Sequence, residues 1–407
     1  MSGWIPACVD PDQQQVGEAR KVYSPVESRR GWQTSRNVSG YHYYFISSPL
    51  HFLLAVNMAI RHGDARSIAV ISSRIESNAK LLGEVISRDG QVFCDVLTLE
   101  SGPGRGQGSK ARQRKKRMKV LRDYLAERPA AKICTRVVRH FGFQYPTEGA
   151  RQGDPAVEGI YLDDGLHTYL GSRRMHSFQH KYGDALLKKL YYGSWWKNPV
   201  ILGTSGWISE VYAVFPELVH PVYREMGKTV LPFDSRYFDT PEFEHMSRAL
   251  AEVAGIDRTT LGKIDFVLLL THEQHYADTW AHTERMMRML GLRCAPERIA
   301  IKAHPRSQLL GELRKRYPRA VHLDNRVGFE LLLPFLREDC VFLADISSSL
   351  FTVKWLQPKQ RAIAIEVPHP TIEHYRGELQ SLFRKMGIEQ LSYEALESEL
   401  SDEAPGR

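Results

Sequence analysis

The sequence predicts an α/β protein built on parallel, doubly wound sheets. Between residues 265 and 365, short apolar runs alternate with segments of helical period, the rhythm of repeated βα units. Near the start, Tyr43-Tyr44-Phe45-Ile46 leads straight through Ser47-Ser48-Pro49 into an apolar stretch with helical spacing. Between these regions, Gly159-Ile160-Tyr161-Leu162-Asp163-Asp164-Gly165 is an apolar strand that stops at two carboxylates and a glycine. Ligands of open α/β sheets sit outside the carboxyl ends of the strands, so two acids there are placed for proton transfer. The plainer reading of the same residues is a surface turn, since Asp and Gly are ordinary turn formers.

The 407 residues exceed what one core usually organises, which predicts two domains. Lys and Arg outnumber Asp and Glu 55 to 47, and this net charge of +8 favours anionic partners. The five cysteines, Cys8, Cys94, Cys134, Cys294 and Cys340, are widely spaced and form no CxxC pair. That argues against a disulfide framework and a structural zinc site, and for a reducing cytoplasm. No signal-peptide pattern opens the chain. No apolar run approaches the ~20 residues that span a bilayer.

Residues 1–40 are polar and aperiodic and are expected to be a flexible leader. Strand 43–46 and helix 50–60 follow. Ser48 fits the N-cap, Pro49 the first helical position and Gly63 the stop, and a helix start of this kind can face an anion. Residues 67–71 read as a strand, 76–88 as a helix and 91–97 as a strand. Residues 102–108 form a glycine-rich loop. The run from Lys110 to Lys119 carries seven basic residues on a helix whose other face is Val120, Leu121, Tyr124 and Leu125. It is either a solvated face or a docking surface for an acidic acceptor or anionic lipid heads. Nucleic acid is not expected, because aromatics do not alternate with the basic residues.

Residues 157–162 form the strand before the acids, 182–196 a helix plus loop, and 207–215 another strand. Leu231-Pro232-Phe233-Asp234 lies in a proline-punctuated run and is the expected hinge. It divides a first domain, 41–230, from a second, 231–390, with 391–407 as a tail. Second-half strands are expected at 265–270, 298–303, 320–323, 340–344 and 361–365. Helices are expected at 277–290, 307–317, 328–337 and 348–356, and 371–400 reads as mostly helical.

Two strand-to-helix junctions in the second half bear chemistry. In Ile301-Lys302-Ala303-His304-Pro305, the histidine sits just past a strand, where it can protonate, or hydrogen-bond as a cation to, a leaving phosphate. Pro305 fixes the turn behind it. In Ala344-Asp345-Ile346-Ser347-Ser348-Ser349, three hydroxyls gather at a helix start and, with its free N–H groups, form a phosphate cradle. Each has a plainer reading, a common dipeptide and a helix cap. His220-Pro221 and His369-Pro370 repeat the dipeptide in less favourable places. Thr271-His272-Glu273-Gln274-His275 is better read as a loop beside a nucleotide than as a zinc site.

Tyr161-Leu162-Asp163-Asp164-Gly165, His304-Pro305 and Ser347-Ser348-Ser349 together resemble the acid-acid-Gly, His-Pro and Ser motifs of bacterial sialyltransferases and polysialyltransferases. Ser48-Pro49-Leu50-His51 resembles a further segment of that family, whose last residue is often Gln. The resemblance spans residues 43–365. It implies a GT-B glycosyltransferase, with two Rossmann-like domains facing a central cleft. It also implies an inverting, metal-independent reaction with no cofactor, from a CMP-activated sialic acid or a relative such as Kdn or Kdo to a glycan. The glycan would belong to a bacterial capsule or lipooligosaccharide. The acid pair would supply the base, with Asp163 favoured and Asp164 orienting the neighbouring loop, and His304 the acid. The serines, with Gly165, Pro305, Thr271 and Ser48 around them, would hold the CMP phosphate. Glu330 would bind cytidine or ribose, although charge complementarity at a helix start explains it as well. The competing readings are a GT-B enzyme using a UDP-sugar and a non-catalytic basic protein that binds acidic glycan or nucleic acid.

Overall fold

The computed structural model describes residues 40–63, 66–72, 76–99, 107–135, 148, 157–171, 185–192, 194, 196, 201–276, 278–345, 347–367 and 375–402. The expected leader thus lies almost wholly outside the described residues, as do His369-Pro370 and the glycine-rich loop as far as Gly106. The first sheet contains β1 (Tyr41–Ile46), β2 (Ser67–Ile71), β3 (Asp95–Thr98), β4 (Ala130–Thr135), β5 (Glu158–Leu162), β6 (Ile208–Ala213) and β7 (Thr229–Pro232). Its strand order is β3-β2-β1-β4-β5-β6-β7, and every neighbouring pair is parallel. The second sheet contains β8 (Phe266–Leu269), β9 (Ile299–Lys302), β10 (Val321–Leu323), β11 (Val341–Ala344), β12 (Ala362–Ile365) and β13 (Glu389–Leu391). Its order is β10-β9-β8-β11-β12-β13, again all parallel.

These are two Rossmann-like layers, the GT-B architecture. The strand order reverses between β1 and β4 in the first sheet and between β8 and β11 in the second. Loops leaving the carboxyl ends of such neighbours diverge to opposite faces and open a crevice. Parallel strands with both faces covered read as unbroken apolar runs, and β2, β8, β9 and β12 are buried along their whole length. Ser48 caps the helix Pro49–His62 by accepting from the His51 N–H. Gly63 ends that helix at φ 61°, its N–H returning to the Ala59 carbonyl.

Several elements differ from the sequence reading. The central strand β4 was not anticipated, because Lys132 interrupts its apolar run; Lys132 pairs with Glu158 on β5 at 3.1 Å. Gln107 and Gly108, expected in the loop, begin the helix Gln107–Glu127. Residues 328–337 hold a 3-10 turn, Phe329–Phe335, rather than an α-helix, with Pro334 lacking the N–H an α-helix would use. At the expected hinge, Leu231 and Pro232 end β7 and Phe233 is buried against Tyr212 and Trp355. The helix Pro241–Val253 beyond it still packs on Glu76–Asp89 of the first layer, tied by His245 and Asp89 at 2.9 Å.

The segment from 391, expected as a tail, carries the docked helix Tyr393–Asp402. Leu396 and Leu400 are buried with Met286, Leu343 and Ile363, and Arg361 binds Glu389 and Glu399 together. Leu396→Ala therefore leaves a cavity in a core, with an expected loss of about 2–4 kcal/mol. Denaturant unfolding checks it; an unchanged midpoint would show the helix to be dispensable.

Candidate functional site

β5 is sandwiched between β4 and β6, so its carboxyl end projects from the middle of the first sheet. Asp163 continues the ladder by donating its N–H to the Tyr212 carbonyl. Its side chain, 1 % exposed, turns inward. Oδ1 accepts from the Gly165 N–H at 2.8 Å, and Oδ2 accepts from the Val214 N–H at 3.0 Å and from the Tyr169 hydroxyl. Burial pushes its pKa up to about 6 despite these donors. Asp164 faces the other way. Its N–H donates to Thr168 Oγ1 at 2.9 Å, and its Oδ1 lies 4.0 Å from His51 Nε2. The hydrogen bonds that shape the loop are therefore made by the Asp163 carboxylate, a task expected of Asp164.

Gly165 adopts φ 64°, ψ −135°, a region open to glycine alone. A Cβ there would come within 2.8 Å of Ser348 Cβ and 3.0 Å of Ser348 Oγ. The acid turn of the first sheet thus rests directly on the serine turn of the second. Tyr169 against Phe351, at 5.7 Å, and Gly328 against Pro49 extend the same contact.

The serine turn leaves β11. Ser347 Oγ accepts from the Ser349 N–H at 3.2 Å, and Ser349 begins the helix Ser349–Leu356. Asp345, fully buried, accepts from Thr271 Oγ1 at 2.8 Å, which links the ends of β11 and β8 across the switch point. The Thr271 N–H donates to the Tyr276 hydroxyl at 3.1 Å. The next residue, His272, meets His304 edge to face at 5.4 Å.

His304 lies two residues past β9, a strand two positions from β11 and so about 10 Å from it. The Ser307 N–H returns to the His304 carbonyl at 2.8 Å, closing a turn with Pro305 at its second position. The Arg306 N–H donates to His304 Nδ1 at 3.1 Å. A nitrogen that accepts from a backbone N–H carries no proton, so the neutral ring holds its proton on Nε2 and donates a hydrogen bond from there. Glu330 is buried near the cleft and accepts from Thr352 Oγ1 at 3.3 Å. Burial raises its pKa, and the nearby Lys302 cation opposes that rise.

The structure thus brings Asp163, Asp164, Gly165, Ser48, Ser347, Ser348, Ser349 and Thr271 to one seam, with Glu330 packed beneath it and His304-Pro305 at its far rim. The run from Lys110 to Lys119 belongs to a separate element. Arg112, Arg114, Lys115, Lys116 and Lys119 are exposed on the helix Gln107–Glu127, whose Leu121 is buried. Among the described residues, no group of three or more His, Cys, Asp or Glu is arranged to hold a metal.

Lys302, Asp345 and Tyr169 escaped the sequence reading. Lys302 left a signal, a lone cation ending the all-apolar strand Ile299–Lys302. Its Nζ is buried, donates to the carbonyls of Ala303 and Asn325 at 3.2 Å, and has its pKa drawn down to about 8 by burial. Tyr169 left none, since its role exists only once β5 and β6 are paired.

The family model described as Alpha-2,8-polysialyltransferase (POLYST) matches residues 43–364. No curated protein matches the chain. An alpha/beta-galactoside alpha-2,3-sialyltransferase from Photobacterium phosphoreum shares the fold with TM-score 0.55 and 12 % identity, over 88 % of this chain and 100 % of its own. The GT-B domain of a Photobacterium damselae sialyltransferase aligns with TM-score 0.51 and 11 % identity, over 86 % of this chain and 99 % of its own. A Photobacterium 2,6-sialyltransferase solved with CMP and lactose aligns with TM-score 0.50 and 12 % identity, over 87 % and 78 %.

The two acids should separate by experiment. Asp163→Asn sets an amide donor against three inward donors and is expected to lower the melting temperature, by about 1–3 kcal/mol in stability. Asp164→Asn should melt close to wild type. Asp163 has a folded pKa above its usual 3.8, so its contribution is fully present below that pH and is lost as pH rises through about 6. Relative to Asp163→Asn, the wild type should therefore lose on the order of 2–3 kcal/mol between pH 4 and pH 7. Parallel unfolding curves across that range, with a constant gap, would contradict the buried charge.

Proposed function

The chain belongs to the alpha-2,8-polysialyltransferase family and is a glycosyltransferase of sialic acid; from that premise we propose that it draws on a CMP-activated donor and inverts the anomeric carbon. Asp164 takes the proton of the acceptor hydroxyl as the new C–O bond forms. The bond from the anomeric carbon to the CMP phosphate breaks at the same time. A positioned base of this kind is worth ~10²–10⁴-fold. Charge gathers on the departing phosphate, and the Nε2–H of His304 and the Ser347–Ser349 hydroxyls and N–H groups are donors for it. No step needs a metal. The observation that supports this most is the approach of Gly165 to Ser348, which sets the carboxylate turn against the hydroxyl turn.

Asp164 is preferred to Asp163 as the base because the three donors on Asp163 hold it facing inward. Glu330 and Lys302, buried side by side, suit the ribose and base end of the donor. The family description carries an α-2,8 linkage and polymerisation, so the acceptor is read as an acidic sialyl chain. The exposed basic face between Arg112 and Lys119 complements such a chain. Docking on anionic lipid at the inner face of the cell membrane is the second use of the same charge. The reaction then belongs to the cytoplasm, and the product to a surface glycan such as a capsule or lipooligosaccharide.

With CMP-sialic acid and an α-2,8-linked sialic acid oligomer, the enzyme should release CMP and lengthen the oligomer, in EDTA as in buffer. His304→Ala should lower turnover at least ~10²-fold while calorimetry still detects donor binding. Tighter retention of a UDP-sugar than of the CMP-sugar would sink the donor assignment. Lys115→Glu with Lys116→Glu should raise KM for the long acidic acceptor, and raise it less as salt is added. An equal change for a neutral acceptor would argue against a charge-reading surface.

A further inference from the structure

We infer that His51 is a positioning residue that aims Asp164, acting as a neutral N–H donor held in one tautomer by the backbone of Ser47. This rests on the proposed role of Asp164 as base. His51 lies on the first turn of the helix Pro49–His62, where β1 ends beside the switch point of the first sheet. The Ser47 N–H donates to His51 Nδ1 at 3.2 Å, and Ser47 Oγ lies 3.0 Å from the same atom. An Nδ1 that receives a backbone N–H has no proton of its own, so in the neutral ring the proton is on Nε2. Nε2 points at Asp164 Oδ1 from 4.0 Å, and both side chains are buried, 1 % and 6 % exposed.

A separation of 4.0 Å is about one ångström beyond a hydrogen bond. Catalytic hydrogen bonds are often long before substrate binds and tighten in the reacting complex. Closing this one takes an approach of about one ångström between the Asp164 carboxylate and His51 Nε2. Polar groups around Asp164 include adjacent Asp163, the Thr168 hydroxyl on its N–H, and the phenols of Tyr161 and Tyr223. His51 faces it from a different element, one whose Pro49 lies against Gly328 of the second half. The imidazole therefore sits where the two halves register. A neutral donor suits a base better than a cation would, because a full positive charge makes a carboxylate reluctant to take a proton.

The test compares His51→Leu, His51→Asn and His51→Gln with wild type in kcat, KM and melting temperature. Gln carries an amide nitrogen at the reach of Nε2; Asn reaches only as far as Nδ1. The expected result is a kcat lower by about 10- to 100-fold in the Leu and Asn variants with KM unchanged, and recovery to within about 5-fold in Gln. Should His51→Leu fail to fold, the contrast between Asn and Gln still decides. In the Asp164→Asn background, His51→Leu should add no further loss. Equal impairment of Gln and Leu, a loss carried by KM, or multiplying losses in the double variant would overturn the inference. Normal turnover by Asp164→Asn would remove the base assignment and this inference with it. An inactive Asp164→Asn beside a normal His51→Leu would remove the inference alone.

Discussion

The close approach of Gly165 to Ser348 is the constraint on which the seam depends. At φ 64°, ψ −135° the backbone turns so sharply after β5 that the two carboxylates diverge, one toward Gly165 and Val214 and one toward His51. With a Cβ at Gly165, 2.8 Å from Ser348 Cβ, either the turn or the second sheet would have to move. The strands that lead into the contact, β5 as far as Leu162 and β11 as far as Ala344, are fixed by parallel ladders. The missing side chain thus couples three things: the direction of Asp164, the seating of the serine turn and the spacing of the two sheets.

The seam concentrates buried polar groups that would be costly alone. Asp163 is offset by three donors, Asp345 by Thr271, and Glu330 by Thr352 and the field of Lys302. A buried ionised carboxylate without partners shifts its pKa or destabilises the fold, which is why such groups are hydrogen-bonded. Their location follows from topology. Only at the switch points do neighbouring loops leave opposite faces and make room for side chains that are neither core nor solvent-facing. The threonine and the serines stand at one of them, between β8 and β11, the acids follow β5, one strand from the other, and the core beneath is apolar.

Much of the fold was legible because parallel strands buried on both faces leave a dense apolar signature, and because Ser48, Pro49 and Gly63 mark a helix chemically at both ends. The strands that escaped had no such signature. β4 carries Lys132 in its middle, and β13 is only three residues long. The site was legible as a set of strand-end residues but not as a set of roles. Nothing in Asp163-Asp164 distinguishes the two acids; the distinction comes from Val214 and Tyr169, 51 and 6 residues away. Likewise Glu330 could be placed near a helix start from sequence, whereas its burial depends on packing between the halves.

The histidines at the seam share one arrangement that suits the proposed reaction. In that reaction the donor phosphate, the sialyl carboxylate and the acids Asp163 and Asp164 are all negative. Cationic histidines would attract them but would also pin the carboxylates in their ionised form. In His51, His272 and His304 alike, a backbone N–H from Ser47, Gln274 and Arg306 enters Nδ1 at 3.1–3.3 Å. Each ring is thereby set as a directional Nε2–H donor. Long-range attraction is left to the net charge of +8 and to the basic face of the helix Gln107–Glu127. Capture by charge and aim by hydrogen bond are thus assigned to different parts of the chain, and a change in one need not disturb the other.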